Sequence, residues 1–305
     1  MIQTFEQLLK FAAGLPPKRV AVINPSNEET FDSIVEAQKA LRATFLLTGD
    51  TEAIEAGLAK AHGDASTVSI RQCRDMQTAL KTAINAVRER EADILMKGGV
   101  DTSTMMRAVL DERDGLRTGR LLSDIFLLEF PHRQENRFVM ITDGGMTLAP
   151  DLKNKVELIN NAVEVAHALG NALPKVAILS ATEFVLPNLQ STLDAAALAK
   201  MNDRGQITGC IVDGPFALDN AISDDAAAEK RIKSEVAGRA EILIAANIES
   251  ANSLAKSTTY FAGLRLAHVV VGGRAPILIP SRADKSDAKL LSIALGMIMS
   301  EKTER

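Results

Sequence analysis

Short aliphatic runs alternate along the chain with longer segments in which apolar residues recur every three or four positions. The short runs are rich in Val, Ile and Leu, which is typical of buried strands. We predict ten strands, at residues 19–24, 44–48, 67–70, 93–96, 124–128, 138–142, 176–179, 209–212, 242–245 and 268–271. The longer segments predict amphipathic helices, among them 30–41, 151–169 and 285–299. Strands that alternate with helices indicate an α/β fold with right-handed crossovers and mainly parallel sheets.

The length of 305 residues is enough for two domains, each with its own core. A polar segment at 130–137 separates two strong strand patterns, and we place a domain change near it. We predict two α/β/α domains, the first formed by residues 1–130 plus 275–305 and the second by 131–274. The return of the last helix to the first domain depends in part on a family resemblance.

Composition narrows the class of protein. Aromatic residues make up only 4% of the chain and Trp is absent, so the core must be aliphatic, which argues against β-sandwiches. A net charge of -4 argues against nucleic acid as a partner. Cys73 and Cys210 form no disulfide framework and fit a reducing compartment. The sequence has neither a signal-peptide pattern at its start nor a run of about 20 apolar residues, so we expect a cytoplasmic protein without a membrane partner.

Glycine-containing polar segments follow several predicted strands. In open α/β sheets, ligands bind beyond the carboxyl ends of the strands. Lys97, Gly98 and Gly99 follow the strand at 93–96, and two glycines beside a lysine suit a phosphate cradle. A glycine turn with a solvent-exposed lysine is the alternative. Asp101 or Thr102 is the expected cap of the next helix.

Two further strands are followed by Asp-Gly pairs, Asp143-Gly144 and Asp213-Gly214. Each pair places a carboxylate and a glycine at the predicted end of a strand, a pattern that is also common in turns. Asp219, at the start of a predicted helix, is either a ligand or a cap.

The last two candidate segments carry cationic side chains. Asn252 and Lys256 are four residues apart and share a helix face, which is either a binding face or a solvated one. Ser281 and Arg282 open the final helix, and Asp284 and Asp287 follow them. A hydroxyl, a guanidinium and carboxylates at a helix start suit an anion that is held bidentately. Helix capping and a surface ion pair are the alternatives.

Several other chemistries lack their patterns in this sequence. The four histidines show no ligand spacing, so we expect no metal site. The sequence has no Gly-x-Ser-x-Gly hydrolase elbow, no Gly-x-Gly-x-x-Gly after a strand and no Walker loop. We therefore expect no permanently bound cofactor.

Taken in order, the motifs resemble those of the phosphate acetyl/butyryltransferase family. The series comprises Met-Lys-Gly-Gly at 96–99, Thr-Asp-Gly-Gly at 142–145, Asp-Gly-Pro-Phe-Ala-Leu-Asp-Asn-Ala at 213–221, Asn-Ile-Glu-Ser-Ala-Asn-x-x-Ala-Lys at 247–256 and Pro-Ser-Arg-Ala-Asp at 280–284. The resemblance covers nearly the whole chain. The Leu-Asp-Asn-Ala and Ser-Arg-Ala-Asp forms are nearest to phosphate butyryltransferases and to the transferase half of enoyl-CoA hydratase fusions.

The resemblance implies reversible transfer of a short acyl group between coenzyme A and inorganic phosphate, with coenzyme A as a substrate. It also implies a homodimer whose active site lies in a cleft between two α/β domains. In the family, the arginine of the Ser-Arg pair binds phosphate and the serine lies near the sulfur of coenzyme A. The candidate catalytic residues are therefore Ser281, Arg282 and Asp287. The candidate substrate- and phosphate-binding residues are Lys97, Gly98, Gly99, Asp143, Gly144, Asp213, Gly214, Asp219, Asn252 and Lys256.

Two departures from the family pattern leave alternatives open. Acetyltransferases carry a basic carboxylate seven residues after the serine, where this chain has Ala288 preceded by Asp287. A tyrosine of the family is replaced by Ala255, which suggests either a wider acyl pocket or a weakened enzyme. The alternatives are an acetyltransferase proper, a CoA-binding subunit with weakened catalysis, and a metal- and NAD-dependent decarboxylating dehydrogenase. The last would need clustered aspartates, which the sequence does not show.

Overall fold

The computed structural model describes residues 1–132, 135–281 and 284–303. The strands within these ranges are β1 (Lys18–Ile23), β2 (Ala43–Gly49), β3 (Val68–Gln72), β4 (Ile94–Lys97), β5 (Ser123–His132), β6 (Glu135–Thr142), β7 (Lys175–Leu179), β8 (Ile211–Phe216), β9 (Ile242–Ile244), β10 (Leu266–Val271) and β11 (Ile277–Leu278). The helices are α1 (Phe5–Ala13), α2 (Glu28–Ala40), α3 (Thr51–Lys60), α4 (Met76–Arg88), α5 (Thr102–Val109), α6 (Leu152–Ala168), α7 (Gln190–Asp203), α8 (Leu218–Ile222), α9 (Asp224–Glu229), α10 (Ile248–Tyr260) and α11 (Ser286–Thr303). The fold class is α/β, as predicted.

The chain divides into two compact units. Phe5–Arg120 and Ala267–Arg305 form one, which we call the flanking unit, and Met1–Thr4 and Leu121–Leu266 form the other, the middle unit. Compactness by itself does not define a folding domain, and the boundaries proposed at residues 130 and 275 stay a prediction.

The flanking unit is built on a mainly parallel sheet with the strand order β3-β2-β1-β4-β11-β10. Neighbouring strands from β3 to β11 run parallel, and β10 is antiparallel to β11. Nearly every residue of β1, β2, β4, β10 and β11 is buried, because helices cover a parallel sheet on both faces. The edge strand β3 has no buried residue. Helices α4 and α11 contact the central strands of this sheet.

The middle unit is built on strands in the order β5-β6-β9-β7-β8. β5 and β6 form an antiparallel pair, and the pairs from β6 to β8 are parallel. The core of this unit includes two phenylalanines, Phe126 and Phe216, and two alanines of α10, Ala251 and Ala255.

The ten predicted strands all overlap strands of the structure, and the three named helices correspond to α2, α6 and α11. One strand prediction is wrong in its bounds. β8 begins at Ile211 and runs to Phe216, so Asp213 and Gly214 lie inside the strand and not beyond its end. The pairing of β7 with β8 shifts register between Ala177 and Leu179, which is a bulge. A Cβ atom at Gly214 would lie 2.8 Å from the carbonyl oxygen of Ile178, so this position requires glycine.

β11 was not predicted as a strand. It has two residues, too few to show any periodicity, and its pairing partners are distant in sequence. Its position between β4 and β10 determines where the following loop, with Ser281, is placed.

Candidate active site

The carboxyl ends of three neighbouring parallel strands, β1, β4 and β11, lie at one edge of the flanking-unit sheet. Ile23 pairs with Lys97 across β1 and β4, and Leu278 pairs with Met96 across β11 and β4. Because adjacent parallel strands end at the same edge, the loop that begins with Gly98 and the loop that contains Ser281 start side by side. The structure thus brings two candidate segments from distant parts of the chain into one place.

The loop after β4 packs tightly against the loop after β1. Lys97 is buried at the end of β4, and the Gly99 amide donates a 2.8 Å hydrogen bond to the Asn24 carbonyl oxygen. A Cβ atom at Gly98 would lie 2.2 Å from the Ile23 carbonyl oxygen, and one at Gly99 would lie 2.4 Å from Oγ of Ser26. Both glycines are therefore required by close packing. A role for them in phosphate binding stays a prediction.

The helix that follows this loop is capped by Asp101 and not by Thr102. The Asp101 carboxylate accepts hydrogen bonds from the Thr104 amide at 2.8 Å and from the Ser103 hydroxyl at 2.7 Å. These bonds hold the pKa of Asp101 well below its usual range. Asp101 is thus an ionised cap at the positive end of α5.

The loop after β11 carries the candidate catalytic residues. Ser281 is exposed, and its amide donates a 2.7 Å hydrogen bond to Oδ2 of Asp284. The Asp284 amide in turn donates to the Ser281 carbonyl oxygen at 3.2 Å. Arg282 lies outside the described residues. Asp287 is in the first turn of α11 and is half-buried.

In the middle unit, Asp143 follows β6 and is 2% exposed. Its carboxylate accepts four backbone hydrogen bonds, from Asp124 at 3.2 Å, Gly145 at 3.0 Å, Met146 at 3.0 Å and Thr147 at 2.8 Å. Burial raises the pKa of Asp143 to about 6, and the nearby Asp124 carboxylate acts in the same direction. Asp143 therefore organises the loop that contains Gly144.

Asn252 connects this loop to α10. The Asn252 side-chain amide donates a 2.9 Å hydrogen bond to the Gly144 carbonyl oxygen. A Cβ atom at Gly144 would lie 2.5 Å from the ring of Phe126, so the loop must carry glycine there to pack this closely. Lys256 is exposed one turn after Asn252 along the same helix. The structure brings Asp143, Gly144 and Asn252 together.

Asp213 and Asp219 lie elsewhere in the middle unit. β9 and β7 separate β8 from β6, which places Asp213 about 14 Å from β6, three strand spacings of roughly 4.8 Å. Asp213 accepts a 2.8 Å hydrogen bond from the Gly214 amide. Asp219 is exposed in α8, where the Lys230 ammonium lies 3.5 Å from its carboxylate. Neither residue contributes to the cluster around Asp143.

Ala255, which replaces the family's tyrosine, has no exposed surface and belongs to the core of the middle unit. A side chain enclosed in the core does not line an open acyl pocket. The interpretation of Ala255 as a residue that widens such a pocket is therefore wrong.

Sequence reasoning also missed residues that shape both clusters. Asn24 contacts the Gly99 loop through its backbone, and Asp124 lies fully buried beside Asp143. A Cβ atom at Gly145 would lie 2.5 Å from Oδ2 of Asp124. The one signal available for Asp124 was a charged residue at the start of an otherwise aliphatic strand.

Within residues 1–132, 135–281 and 284–303, no helix combines the length and the hydropathy needed to cross a bilayer. The same ranges contain no group of three or more His, Cys, Asp or Glu side chains arranged to hold a metal ion.

The α/β architecture and the polar loops at the carboxyl ends of its strands coincide with a known class of transferase. The sequence profile described as "Phosphate acetyl/butaryl transferase" matches residues 19–297, and the chain belongs to this family. It is 44% identical over 284 residues to a probable phosphate butyryltransferase of Bacillus subtilis, covering 93% of this chain and 94% of that protein. It is 42% identical over 304 residues to a phosphate butyryltransferase of Clostridium beijerinckii, covering all of both chains.

A solved structure shows the same fold. The crystal structure of a branched-chain phosphotransacylase from Enterococcus faecalis superposes with a TM-score of 0.83 at 28% identity. The match covers 93% of this chain and 99% of the other. The family resemblance inferred from the motifs is thus confirmed.

Proposed function

We propose that this protein catalyses the reversible transfer of a short-chain acyl group between coenzyme A and inorganic phosphate. Membership of the family over nearly the whole chain supports this activity. One structural observation carries the assignment of the site: β11 lies parallel to β4, so the loop with Ser281 starts beside the loop with Lys97 and its glycines. In one direction the products are an acyl phosphate and coenzyme A.

The chemistry needs no nucleophile from the protein. In the direction of acyl-CoA synthesis, the thiolate of coenzyme A attacks the carbonyl carbon of the acyl phosphate. A carbon–sulfur bond forms, the bond from carbon to the phosphate oxygen breaks, and phosphate leaves. A free thiol has a pKa near 8.5, so most of it is protonated at neutral pH and a proton acceptor is required. Proximity and charge stabilisation then provide most of the acceleration.

The roles of the candidate residues follow from this chemistry and from the family. Arg282 binds the phosphate through its planar guanidinium, which matches two oxygens at once. Ser281 lies near the sulfur, and Asp287 is the candidate proton acceptor. Lys97 adds positive charge to the phosphate side.

In the middle unit, Asn252 and Lys256 are the candidate phosphate-binding residues. Asp143 holds the loop that contains Gly144, and Asn252 is hydrogen-bonded to this loop. Asp213, Gly214 and Asp219 remain predicted ligands of the substrate.

The activity is tested by measuring release of free thiol from acetyl-, propionyl- and butyryl-CoA with and without phosphate. We expect release that depends on phosphate and is accompanied by an equal amount of acyl phosphate. Release without phosphate would indicate a thioesterase, and an absence of release from all three substrates would contradict the proposal.

The site is tested by replacing Arg282. We expect Arg282→Ala to reduce turnover on the order of 10²–10³-fold, because one preorganised charge-stabilising donor is lost. Arg282→Lys should recover only part of this loss, since lysine keeps the charge without the two-pronged geometry. Arg74→Ala is the matched control, because Arg74 is 90% exposed beside Asp75. Near-normal turnover in Arg282→Ala would contradict the assignment of the active site to this loop.

We further propose that the enzyme is a cytoplasmic homodimer, as the family resemblance implies. Cys73 and Cys210 are both free and buried, which supports a reducing compartment. Light scattering should return about twice the chain mass of 32.7 kDa, and a value near the single-chain mass would contradict the dimer.

A further inference from the structure

Ser281 is hydrogen-bonded to a carboxylate, that of Asp284, to which no role has been assigned. Asp284 accepts the Ser281 amide at Oδ2 and returns a hydrogen bond from its own amide to the Ser281 carbonyl oxygen. Ser281 and Asp284 are thereby joined by two hydrogen bonds. Nε2 of His268, on β10, lies 3.9 Å from the same carboxylate oxygen.

A buried lysine holds Asp284 from the opposite side. Lys289 is 2% exposed, and its ammonium donates a 2.6 Å hydrogen bond to the Asp284 carbonyl oxygen. Burial lowers the pKa of Lys289, while the carboxylates of Asp284, Glu29 and Asp32 act in the opposite direction. An ammonium group is costly to bury unless its donors are bonded, so its position is strongly constrained.

The start of α11 is also attached to α2. The Ser286 hydroxyl donates a 3.0 Å hydrogen bond to Oε1 of Glu36. Ser281 is bonded to Asp284, and Asp284 is in turn held by Lys289 of α11.

We propose that Asp284 is a positioning residue, held by Lys289, that orients Ser281 for acyl transfer. The inference rests on the proposed function. It requires Asp284 to act as a hydrogen-bond acceptor and not as a proton acceptor or a substrate ligand. A misplacement of about 1 Å in an active site can cost roughly 100-fold in rate, so the expected effect is large.

Three variants separate these roles in the thiol-release assay at saturating phosphate. Asp284→Ala removes the acceptor, and we expect kcat to fall about 10- to 100-fold with a smaller change in KM for acyl-CoA. Asp284→Asn keeps one acceptor oxygen and should stay within about fivefold of the wild type, the worth of roughly one hydrogen bond. Lys289→Met keeps the length of the side chain and should lower kcat about fivefold by releasing the Asp284 carbonyl oxygen.

Asp75→Ala is the matched control. The Asp75 carboxylate accepts a 2.7 Å hydrogen bond from the Thr78 amide at the start of α4, a bond as short as that between Asp284 and Ser281. Asp75 lies after β3, three strands away from β4 in the sheet order. We expect a comparable loss of melting temperature in Asp75→Ala and Asp284→Ala, and a loss of kcat only in the latter.

The outcomes distinguish this inference from the proposed function. A wild type without phosphate-dependent release would overturn the function and the inference with it. An active wild type with equal kcat in Asp284→Ala and Asp75→Ala would overturn the inference alone. Asp284→Asn as inactive as Asp284→Ala would also overturn it, because the charge or proton affinity of Asp284 would then be essential. Circular dichroism on each variant verifies that the folded protein is measured.

Discussion

Asp143→Asn tests whether a buried carboxyl group makes stability depend on pH. Asn has nearly the same shape as Asp but does not titrate. The substitution also places an amide nitrogen where Oδ2 of Asp143 accepts from the Thr147 amide. That loss is the same at every pH, so the change of the stability difference with pH isolates the titration of Asp143.

The sign of the effect follows from the direction of the pKa shift. The pKa of Asp143 is raised from 3.8 to about 6 in the folded protein, so the folded state binds more protons than the unfolded state between these values. The contribution of Asp143 to stability is full below pH 3.8 and is lost as the pH rises through about 6. Each pKa unit corresponds to about 1.4 kcal/mol, so the whole loss is roughly 3 kcal/mol. About 2 kcal/mol of it falls between pH 4.5 and pH 7.5.

The assay is denaturant unfolding at a series of pH values for the wild type and Asp143→Asn. The chain contains no Trp, and its one Tyr, Tyr260 at the end of α10, is 70% exposed, so intrinsic fluorescence reports little of the unfolding of the core. Circular dichroism follows the whole chain. We expect the wild type to lose about 2 kcal/mol relative to the variant between pH 4.5 and pH 7.5.

Asp101→Asn is the control, because its pKa is shifted in the opposite direction. Its contribution is lost only as the pH falls below 3.8, so its difference from the wild type should be nearly constant above pH 5. A difference between wild type and Asp143→Asn that stays constant within about 0.5 kcal/mol over the same range would refute the reasoning.

Three further predictions concern packing, metal and substrate. Gly98→Ala should destabilise the protein by roughly 1–3 kcal/mol, because the backbone oxygen of Ile23 cannot move away from the new Cβ atom. Gly14→Ala is its control, since its nearest contact is 3.4 Å away, and equal melting temperatures would contradict the prediction. Dialysis against a chelator should leave turnover unchanged, and recovery of lost activity on adding Mg²⁺ or Zn²⁺ would show a metal requirement. Butyryl- and propionyl-CoA should be preferred over acetyl-CoA by a graded margin, because a methylene group contributes only ~1–3 kcal/mol in a hydrophobic pocket. Turnover of acetyl-CoA that equals or exceeds that of butyryl-CoA would refute this preference, which now depends on the motif forms and not on Ala255.

Strands with strong aliphatic runs could be predicted from the sequence because burial on both faces of a parallel sheet leaves a continuous apolar signal. β8 was misplaced because Asp213, Gly214 and Pro215 read as a turn, although they form a bulged part of the strand. Propensity alone does not reveal that a neighbouring strand, here β7, supplies the pairing that keeps such residues extended.

The sequence was enough to predict which residues belong to the candidate site, but it predicted only in part which of them contact each other. Asp143-Gly144 and Asn252 were each identified from a local motif, but the hydrogen bond between Gly144 and Asn252 joins the loop after β6 to α10, which is distant in sequence. Asp124 was missed because its significance depends on the Asp143 carboxylate opposite it. A buried pair of carboxylates leaves no trace in the spacing of either residue.

The sequence by itself determined the α/β class, the aliphatic core and the motifs that carry the chemistry, because these depend on local composition and periodicity. The tertiary structure decided which motifs become neighbours. β11 pairs with β4 through two residues, and this pairing places the Ser281 loop beside the Lys97 loop. A strand of two residues is too short to show a hydrophobic periodicity in the sequence. Its location is set by the unpaired backbone N–H and C=O groups of neighbouring strands, which come from distant parts of the chain.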